Sequence, residues 1–236
     1  MAKIVKNTTF PGLLDMLMPH SCKGCGRLGA VVCDRCKKHI TDCNFDICPE
    51  CKRKKTGKKL KNCPDCKDLP PVIAVGEREG LLAELIHEYK YSATRAIHEI
   101  LAEILAEKIP EELKGAYLVP LPTSTAHIRE RGFDHIYLIA KKLAKMKGYR
   151  VVRLLVREKN TVQVGADHKA RVKQAEGAFR VDERVLIEKD ATYILLDDVW
   201  TTGASMKAAT KKLREAGARK IGIVVLAVSE IGRAHV

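Results

Sequence analysis

The chain has 236 residues and a formal net charge of +14, with 43 Lys and Arg against 29 Asp and Glu. This excess favours anionic partners such as nucleic acids or phosphorylated ligands. No run of eighteen apolar residues occurs, which excludes a transmembrane helix on length. Residues 1–70 hold fifteen Lys and Arg against seven Asp and Glu, so most of the charge lies in this first part.

The first predicted element is a short amphipathic helix over residues 10–18, which we expect to pack on the protein rather than on a membrane. Asp15 interrupts its apolar residues and Pro19 follows it, so the segment lacks the pattern of a secretory signal. We therefore expect a cytoplasmic protein whose cysteines bind zinc instead of forming disulfides.

Eight of the nine cysteines form four CxxC pairs. A CxxC turn presents two sulfurs to one tetrahedral ion, and four thiolates make a closed structural zinc site. We predict two such sites, one from the first four cysteines and one from the last four, although an interleaved grouping also fits. The predicted zinc ligands are Cys22, Cys25, Cys33, Cys36, Cys48, Cys51, Cys63 and Cys66. Cys43 is left over and is expected to be a small buried residue.

Seven of the ten residues at 52–61 are basic, and they separate the two CxxC pairs of the second predicted site. On a zinc ribbon this run predicts a projecting hairpin that binds DNA or RNA through phosphates, without reading sequence. Few aromatic residues accompany it, so binding would rest on charge. A solvated basic loop is the alternative. The predicted nucleic-acid contacts are Lys52, Arg53, Lys54, Lys55, Lys58, Lys59 and Lys61.

Pro70 and Pro71 mark the predicted boundary between a zinc module, residues 1–70, and a longer α/β domain, residues 71–230. Apolar strands then alternate with helical patterns over 81–89 and 96–108, which is typical of a parallel sheet. Lys90 ends the first helix, where it either reaches a phosphate or complements the helix dipole.

A strand over residues 117–119 leads into Pro120 and Pro122, which predict a rigid turn suited to a diphosphate. Arg129 and Arg131 follow, and their guanidinium groups suit phosphate oxygens, although a solvated helix face also accounts for them. The polar segment 157–171 has no apolar period and predicts a mobile loop.

The most informative segment is Thr192 to Ser205, TYILLDDVWTTGAS. An apolar strand ends in Asp197 and Asp198, where acids at the carboxyl end of a parallel strand can meet ribose hydroxyls or a metal ion. Hydroxyls and backbone N–H groups follow at the start of a helix beginning near Met206, and such a helix N-terminus favours phosphate. The predicted phosphate contacts are Thr201, Thr202, Gly203, Ala204 and Ser205. Trp200 either covers the sugar pocket or packs in the core.

The last strand, residues 221–228, completes the predicted sheet. The six residues after Glu230, IGRAHV, have no structural logic following that strand and look like the translation of a sequencing-library adapter. We predict a non-native tail at 231–236 and exclude it from fold reasoning.

LLDDVWTTGAS resembles the motif by which type I phosphoribosyltransferases bind 5-phosphoribosyl 1-pyrophosphate (PRPP). The segments VPLPT and IRERGFD, with the later VREKNTVQ and RVKQAEGAFRV, resemble the ComF family, also called GntX-like. Asp134 and Gln174 stand where the family pattern has Asn. The resemblance implies an α/β type I phosphoribosyltransferase-like parallel sheet flanked by helices, after a cysteine-rich zinc-ribbon module. It also implies a flexible loop over the site, with Arg157, Lys159, Gln163 and Arg171 as candidates.

Two functions follow from this resemblance. The first is a phosphoribosyltransferase that binds PRPP with magnesium, in which Asp197 and Asp198 act as the catalytic acids and the acceptor is open. The second is a single-stranded-DNA-binding factor of natural transformation, in which the PRPP site is regulatory or vestigial. DNA-uptake or recombination proteins are the partners that this second function implies, with no membrane association.

Overall fold

The computed structural model describes residues 20–42, 45, 47–53, 63–92, 96–158 and 177–229. Several predicted features lie outside these residues: the helix over 10–18, Cys43, the basic residues from Lys54 to Lys61, the loop from Lys159 to Arg171 and the tail. The chain divides into two compact units, residues 1–39 and 40–236.

The first unit is built around a short cysteine-bearing turn. An isolated bridge joins Ser21 to Leu28. Within it the N–H of Gly26 donates to the carbonyl of Cys22 at 2.7 Å. Helix α1, Asp34–Asp42, begins one residue after Cys33 and carries Cys36.

The second unit contains a five-stranded parallel sheet, which confirms the predicted fold class. Its strands in chain order are β1 Val72–Glu77, β2 Tyr117–Pro120, β3 Arg150–Val151, β6 Thr192–Trp200 and β7 Lys220–Val228. Their order across the sheet is β1-β7-β6-β2-β3. The central strands β6 and β7 are apolar and mostly buried because a parallel sheet is covered on both faces.

The helices of this unit are α2 Gly80–Tyr91, α3 Ile97–Lys108, α4 Thr125–Arg131, α5 His135–Lys147 and α6 Ala204–Glu215, with a 3₁₀ turn at Glu111–Leu113. Helices α2, α3 and α6 lie close to the predicted positions, whereas no bounds were predicted for α4 and α5. Asp134 begins α5 by accepting the N–H of Tyr137 at 3.2 Å, so an acid at this position acts as a helix cap.

A second, two-stranded antiparallel sheet pairs β4, Leu155–Arg157, with β5, Phe179–Val181. Arg157 was predicted to begin a mobile loop, but it closes a strand. Its guanidinium lies over the ring of Phe179, 5.7 Å from the centroid.

One face of the large sheet packs against α6 and the second group of cysteines. Tyr193 and Leu195 of β6 share a core with Met206 and Leu213 of α6, and Cys48 belongs to the same core. Since side chains alternate along a strand, Ile194 and Leu196 point to the opposite face and are buried there. Among the helices that the structure describes, none has the length and apolar character needed to cross a membrane.

Candidate functional site

The candidate site lies where β2 and β6 end side by side. Pro120 is the last residue of β2 and pairs with Leu196, and the N–H of Leu121 donates to the carbonyl of Leu196 at 2.9 Å. Strand β6 does not end at Asp197 as predicted, because β7 continues to pair with it as far as Trp200. Asp197 and Asp198 are therefore the first residues of β6 beyond the end of β2. Ligands of open α/β sheets bind at such an edge.

Asp198 is held in a buried polar network on one side of β6. Its Oδ2 atom lies 2.8 Å from Nζ of Lys90 and 2.7 Å from Nε2 of His135. The side chain of Asp198 is 8% exposed and that of Lys90 is 17% exposed. Lys90 is thus an ion-pair partner inside the protein, rather than a cation that serves only the end of α2.

Arg131 lies beside the ring of His135, with its Nη1 3.2 Å from Nδ1 and 3.5 Å from Nε2. The ionised carboxylate of Asp198 can only accept a hydrogen bond, so Nε2 carries the hydrogen that His135 donates to Asp198. Burial by itself raises the pKa of Asp198, but the hydrogen bond from His135 and the charge of Lys90 outweigh it and hold the pKa below its ordinary value.

Asp197 has a different environment from its neighbour. It is half-buried, and its Oδ1 accepts the backbone N–H of Asp198 at 2.9 Å. Burial and then the negative charge of Asp198 raise the pKa of Asp197 above its ordinary value. Successive residues of a strand point to opposite faces, so the two acids diverge instead of forming a matched pair.

The loop after β6 presents exposed hydroxyls at the start of α6. Thr201, Thr202 and Ser205 are exposed, whereas Gly203 is buried and has a φ of 72°. Helix α6 begins at Ala204, two residues before the predicted start, so the N–H groups of its first turn follow the loop directly. This arrangement suits a phosphate group.

Trp200 packs in the core and does not cover a pocket. Its side chain is 1% exposed and lies against Gly203. A Cβ atom at residue 203 would lie 2.2 Å from Cζ2 of the indole ring. The glycine is therefore required both by its left-handed backbone and by the tryptophan beside it.

The segment after β2 connects the site to α4 and α5. Thr123 donates from Oγ1 to Oδ1 of Asp134 at 3.1 Å and also lies 3.3 Å from Nδ1 of His135. The two predicted arginines separate here. Arg129 is exposed, whereas Arg131 is half-buried against His135 and the ring of Tyr91.

The eight paired cysteines form two groups that follow their order in the sequence. Cys22, Cys25, Cys33 and Cys36 form the first cluster, and Cys48, Cys51, Cys63 and Cys66 form the second; within each, the sulfurs lie within 4.8 Å of one another. A tetrahedral zinc site with Zn–S bonds of about 2.3 Å separates its sulfurs by about 3.8 Å. The sulfurs of Cys25 and Cys33 are 3.7 Å apart, and those of Cys51 and Cys63 are 3.6 Å apart.

The chemistry of these donors also fits a divalent cation. Burial and the neighbouring sulfurs raise the pKa of Cys36 to about 12 and that of Cys66 to about 12. Four thiolates so close together need a cation to ionise together, and zinc supplies it. Each cluster can therefore bind one zinc ion.

The structure describes two of the seven residues that were predicted to contact nucleic acid. Lys52 is exposed and has a φ of 60°. Arg53 is exposed and pairs with Asp65 at 2.9 Å across the second cluster. The other five predicted contacts lie outside the part of the chain that the structure covers.

Comparison with known proteins finds a family match over part of the chain and two similar proteins. Residues 128–236 match the Phosphoribosyl transferase domain family. The chain is 25% identical over 140 residues to Competence protein ComFC of Streptococcus pneumoniae, and 31% identical over 104 residues to Competence protein ComFC of Bacillus subtilis. The chain is therefore similar to the ComFC competence proteins, and its second part matches the phosphoribosyl transferase domain.

The two alignments cover 59% and 44% of this chain, and 60% and 40% of the respective relatives. Among solved structures, adenine phosphoribosyltransferase from Leishmania tarentolae is 12% identical, with a TM-score of 0.41 over 67% of this chain and 91% of that one. A purine phosphoribosyltransferase from Pyrococcus horikoshii is 17% identical, with a TM-score of 0.35 over 58% of this chain and 77% of that one.

The structure adds residues to the candidate site that the sequence did not reveal. His135 and Thr123 were not predicted, and Lys90 was not linked to Asp198. The one local signal was the polar character of His135 at the start of a helix whose next residues are apolar. Its partner lies 63 residues further along the chain, so no local periodicity connects the two.

Proposed function

We propose that the chain binds PRPP at the edge formed by β2 and β6. The observation that carries this proposal is the placement of the hydroxyl-bearing loop, which lies between the acidic end of β6 and the first turn of α6. A single ligand that carries both a sugar diol and a phosphate needs an acid and a phosphate-binding helix start at the same edge of the sheet. The family match over residues 128–236 supports the proposal because it includes both.

Each part of the ligand has a proposed set of contacts. Asp197 receives the ribose hydroxyls, since it is half-buried and its pKa is raised, so that it can donate as well as accept a hydrogen bond. The 5′-phosphate binds the loop and the N-terminus of α6, through Thr201, Thr202, Gly203, Ala204 and Ser205. The turn after Pro120 and the exposed Arg129 receive the diphosphate.

Asp198 has a supporting part in this proposal. Lys90 and His135 already occupy its Oδ2 atom, so it fixes these two side chains at the edge of the site. Arg131 is likewise held by His135 and acts through that residue. The two acids proposed as catalytic therefore differ in role: Asp197 contacts the ligand, and Asp198 positions the cations beside it.

Magnesium enters the proposal as the partner of the diphosphate. Proteins usually hold Mg²⁺ through one or two carboxylates together with substrate phosphates. Asp197 is the acid of this pair that would fit such a site, because Asp198 is engaged in its ion pair, and Asp197 would lose its proton when the cation binds. When bound, magnesium would neutralise negative charge on the diphosphate.

The reaction that such a site supports is phosphoribosyl transfer. A nucleophile on an acceptor forms a bond to the anomeric carbon, the bond to the pyrophosphate oxygen breaks, and its electron pair leaves with pyrophosphate. The chain contributes orientation, since a phosphate held at α6 and hydroxyls held at Asp197 fix the sugar for attack.

Calorimetric titration with PRPP and magnesium tests this proposal. We expect the wild-type protein to bind and the Asp197→Ala and Thr202→Val variants to lose at least about tenfold in affinity, since each removes a hydrogen bond to a charged or polar ligand group. Glu183→Gln is the matched control because Glu183 is exposed on the segment after β5. Absence of binding by folded, zinc-loaded wild type would overturn the proposal.

A second candidate function is favoured by the names of the two relatives. Both are competence proteins, and the first 70 residues of this chain carry eight excess positive charges. We propose that residues 1–70 form a zinc-ribbon module that binds single-stranded DNA and meets DNA-uptake or recombination proteins, while residues 71–230 form the phosphoribosyltransferase-like domain. Binding would rest on phosphate contacts and weaken steeply with salt.

Fluorescence anisotropy with a labelled oligonucleotide tests this candidate. We expect replacement of Lys52, Lys54 and Lys55 by Gln to weaken binding. The slope of log affinity against log salt concentration should become shallower by up to about 0.7 for each phosphate that is no longer neutralised. Replacement of Lys141, Lys145 and Lys147 on α5 by Gln is the control, since it removes the same charge from another part of the chain. Equal effects of the two triple changes would exclude a localised nucleic-acid site.

A further inference from the structure

We propose that the second cysteine cluster positions the phosphate loop, and that it acts through helix α6. Its effect on ligand affinity rests on the proposed binding of PRPP. Its effect on the helix does not depend on any ligand, so the two can be measured separately.

The first observation is apolar packing between the cluster and the helix. Cys48 is 1% exposed and belongs to one buried core with Met206, Ala209 and Leu213 of α6. Cys63 and Leu69, which lie on either side of Cys66, belong to the same core. Two of the four zinc ligands are therefore part of the surface that supports α6.

The second observation is a polar link at each end of the same helix. Glu50, inside the first CxxC turn of the cluster, forms an ion pair with Lys207 in the first turn of α6. Arg214, in the last turn, donates from Nη1 to the carbonyl of Asp68 at 2.9 Å. Both links line a cavity of about 610 Å³ between the cysteine segment and the helix.

The third observation explains why the metal matters to this contact. Residues 47–53 and 63–69 contain no helix and no strand beyond a single bridge residue, and their backbone is held by a few turn hydrogen bonds. A segment with so little regular structure depends on its metal for a fixed shape. When four thiolates bind one ion, Cys48, Cys63 and Glu50 keep their positions against α6.

The phosphate loop is the part of the site that this contact controls. Gly203 ends the loop immediately before the first residue of α6, and its carbonyl accepts the N–H of Lys207 at 2.9 Å. Lys207 is thus joined to the loop by its backbone and to the cluster by its side chain. Movement of the first turn of α6 would displace the N–H groups that receive the phosphate.

The first cysteine cluster provides a matched control within the chain. It has the same four-cysteine chemistry, but it belongs to the other compact unit, and none of its cysteines is among the described members of the core that contains α6. Cys25 and Cys51 are equivalent, since each is the second cysteine of the first CxxC pair of its cluster.

The experiment compares Cys51→Ser, Cys51→His and Cys25→Ser in the full chain, with zinc content measured for each. Hydrogen exchange of residues 204–215 is followed by mass spectrometry, with residues 220–228 of β7 as the internal reference. We expect Cys51→Ser to speed exchange in α6 by about tenfold, Cys51→His to restore it because histidine also binds zinc, and Cys25→Ser to leave it unchanged.

Ligand affinity gives the second readout. We expect Cys51→Ser to weaken binding of PRPP and of ribose 5-phosphate by about tenfold, while binding of pyrophosphate with magnesium stays within about twofold. If the wild type binds PRPP and the two serine variants bind it equally, the inference is overturned. If the wild type does not bind PRPP, the proposed function fails, and hydrogen exchange in α6 alone decides the inference. If β7 also loses protection, Cys51→Ser unfolds the domain and cannot test the contact. The double variant Glu50→Gln/Arg214→Gln is then used in its place, and hydrogen exchange in α6 must become faster in that variant.

Discussion

The two sides of strand β6 support the candidate site in different ways. On one side, Trp200, Gly203 and α6 meet through close apolar packing. On the other, Asp198 is held by an ion pair and a hydrogen bond to residues of α2 and α5. The first arrangement fixes the shape of the phosphate loop, and the second fixes charges at the sheet edge. One part of the candidate site is thus fixed by the shape of its packing, and the other part is fixed by a balance of charges.

The largest expected effect tests the charged side. Lys90→Met removes the lysine cation beside Asp198 and leaves a buried carboxylate with His135 as its remaining side-chain partner among the described contacts. We expect the free energy of unfolding to fall by about 3–5 kcal/mol, the usual result of breaking a buried ion pair. Urea denaturation at neutral pH measures this change.

A double change sharpens this prediction. Lys90→Met combined with Asp198→Leu removes both charges, and we expect it to be less destabilising than Lys90→Met alone because no unpaired charge stays buried. If the double variant loses as much stability as the two single variants summed, the charges do not interact, and the difference between the two sides of β6 disappears.

The packed side is tested by Gly203→Ala. The added methyl group meets the ring of Trp200 at 2.2 Å, and the left-handed φ of 72° strains any residue with a Cβ. We expect a loss of about 3 kcal/mol in unfolding free energy, made up of backbone strain and overpacking. Differential scanning calorimetry or urea denaturation detects it.

Gly148→Ala is the control for that change. Gly148 has a φ of 73°, but a Cβ there meets nothing within 4 Å. Its loss should be limited to the backbone strain, about 1–2 kcal/mol. Equal losses of unfolding free energy at residues 148 and 203 would mean that Trp200 moves aside freely and that its packing against Gly203 adds no cost.

The fold could be predicted to a large extent from the sequence because its strands are continuous apolar runs. β6 and β7 are buried on both faces, which leaves the pattern unbroken. The end of β6 could not be placed, because Asp197 and Asp198 resemble a strand end in polarity. Pairing with β7 carries the strand on to Trp200, and that pairing is a property of the sheet.

The candidate site was predicted where its residues are adjacent in sequence and missed where the fold brings them together. Thr201 to Ser205 form one loop, and the preference of hydroxyls and glycine for a helix start identifies it. The partners of Asp198 come from α2 and α5, far away along the chain. A lysine at a helix end has a simpler explanation in the helix dipole, so nothing local links it to a buried acid.

The two acids predict opposite dependences of stability on pH. The pKa of Asp198 is lowered in the folded protein, so its contribution is present above the ordinary carboxyl pKa of about 3.9 and is lost as the pH falls below it. The pKa of Asp197 is raised, so its contribution is present below about 3.9 and is lost as the pH rises towards its folded pKa.

Asp197→Asn separates these contributions. The variant cannot ionise at residue 197, so we expect its unfolding free energy to increase relative to wild type as the pH rises from about 4. Urea denaturation across this range measures the difference, with Glu183→Gln as the control for removal of an exposed carboxyl. A difference that is constant with pH would show that Asp197 titrates as an ordinary acid.

The smallest effect is expected where the packed side reaches the protein surface. Glu50 and Lys207 have side chains that are 31% and 47% exposed, and such pairs contribute about 0.2–1 kcal/mol. Glu50→Gln should therefore reduce the unfolding free energy by less than about 1 kcal/mol, with Glu215→Gln as a control because it breaks a pair formed within α6. A much larger loss at Glu50 would mean that the contact between the cysteine segment and α6 depends on charge, so that both sides of β6 would follow the same physical rule. A small loss would leave Cys48, Cys63 and Leu69 as the main support of the helix, because their burial in the shared core does not depend on a charge pair.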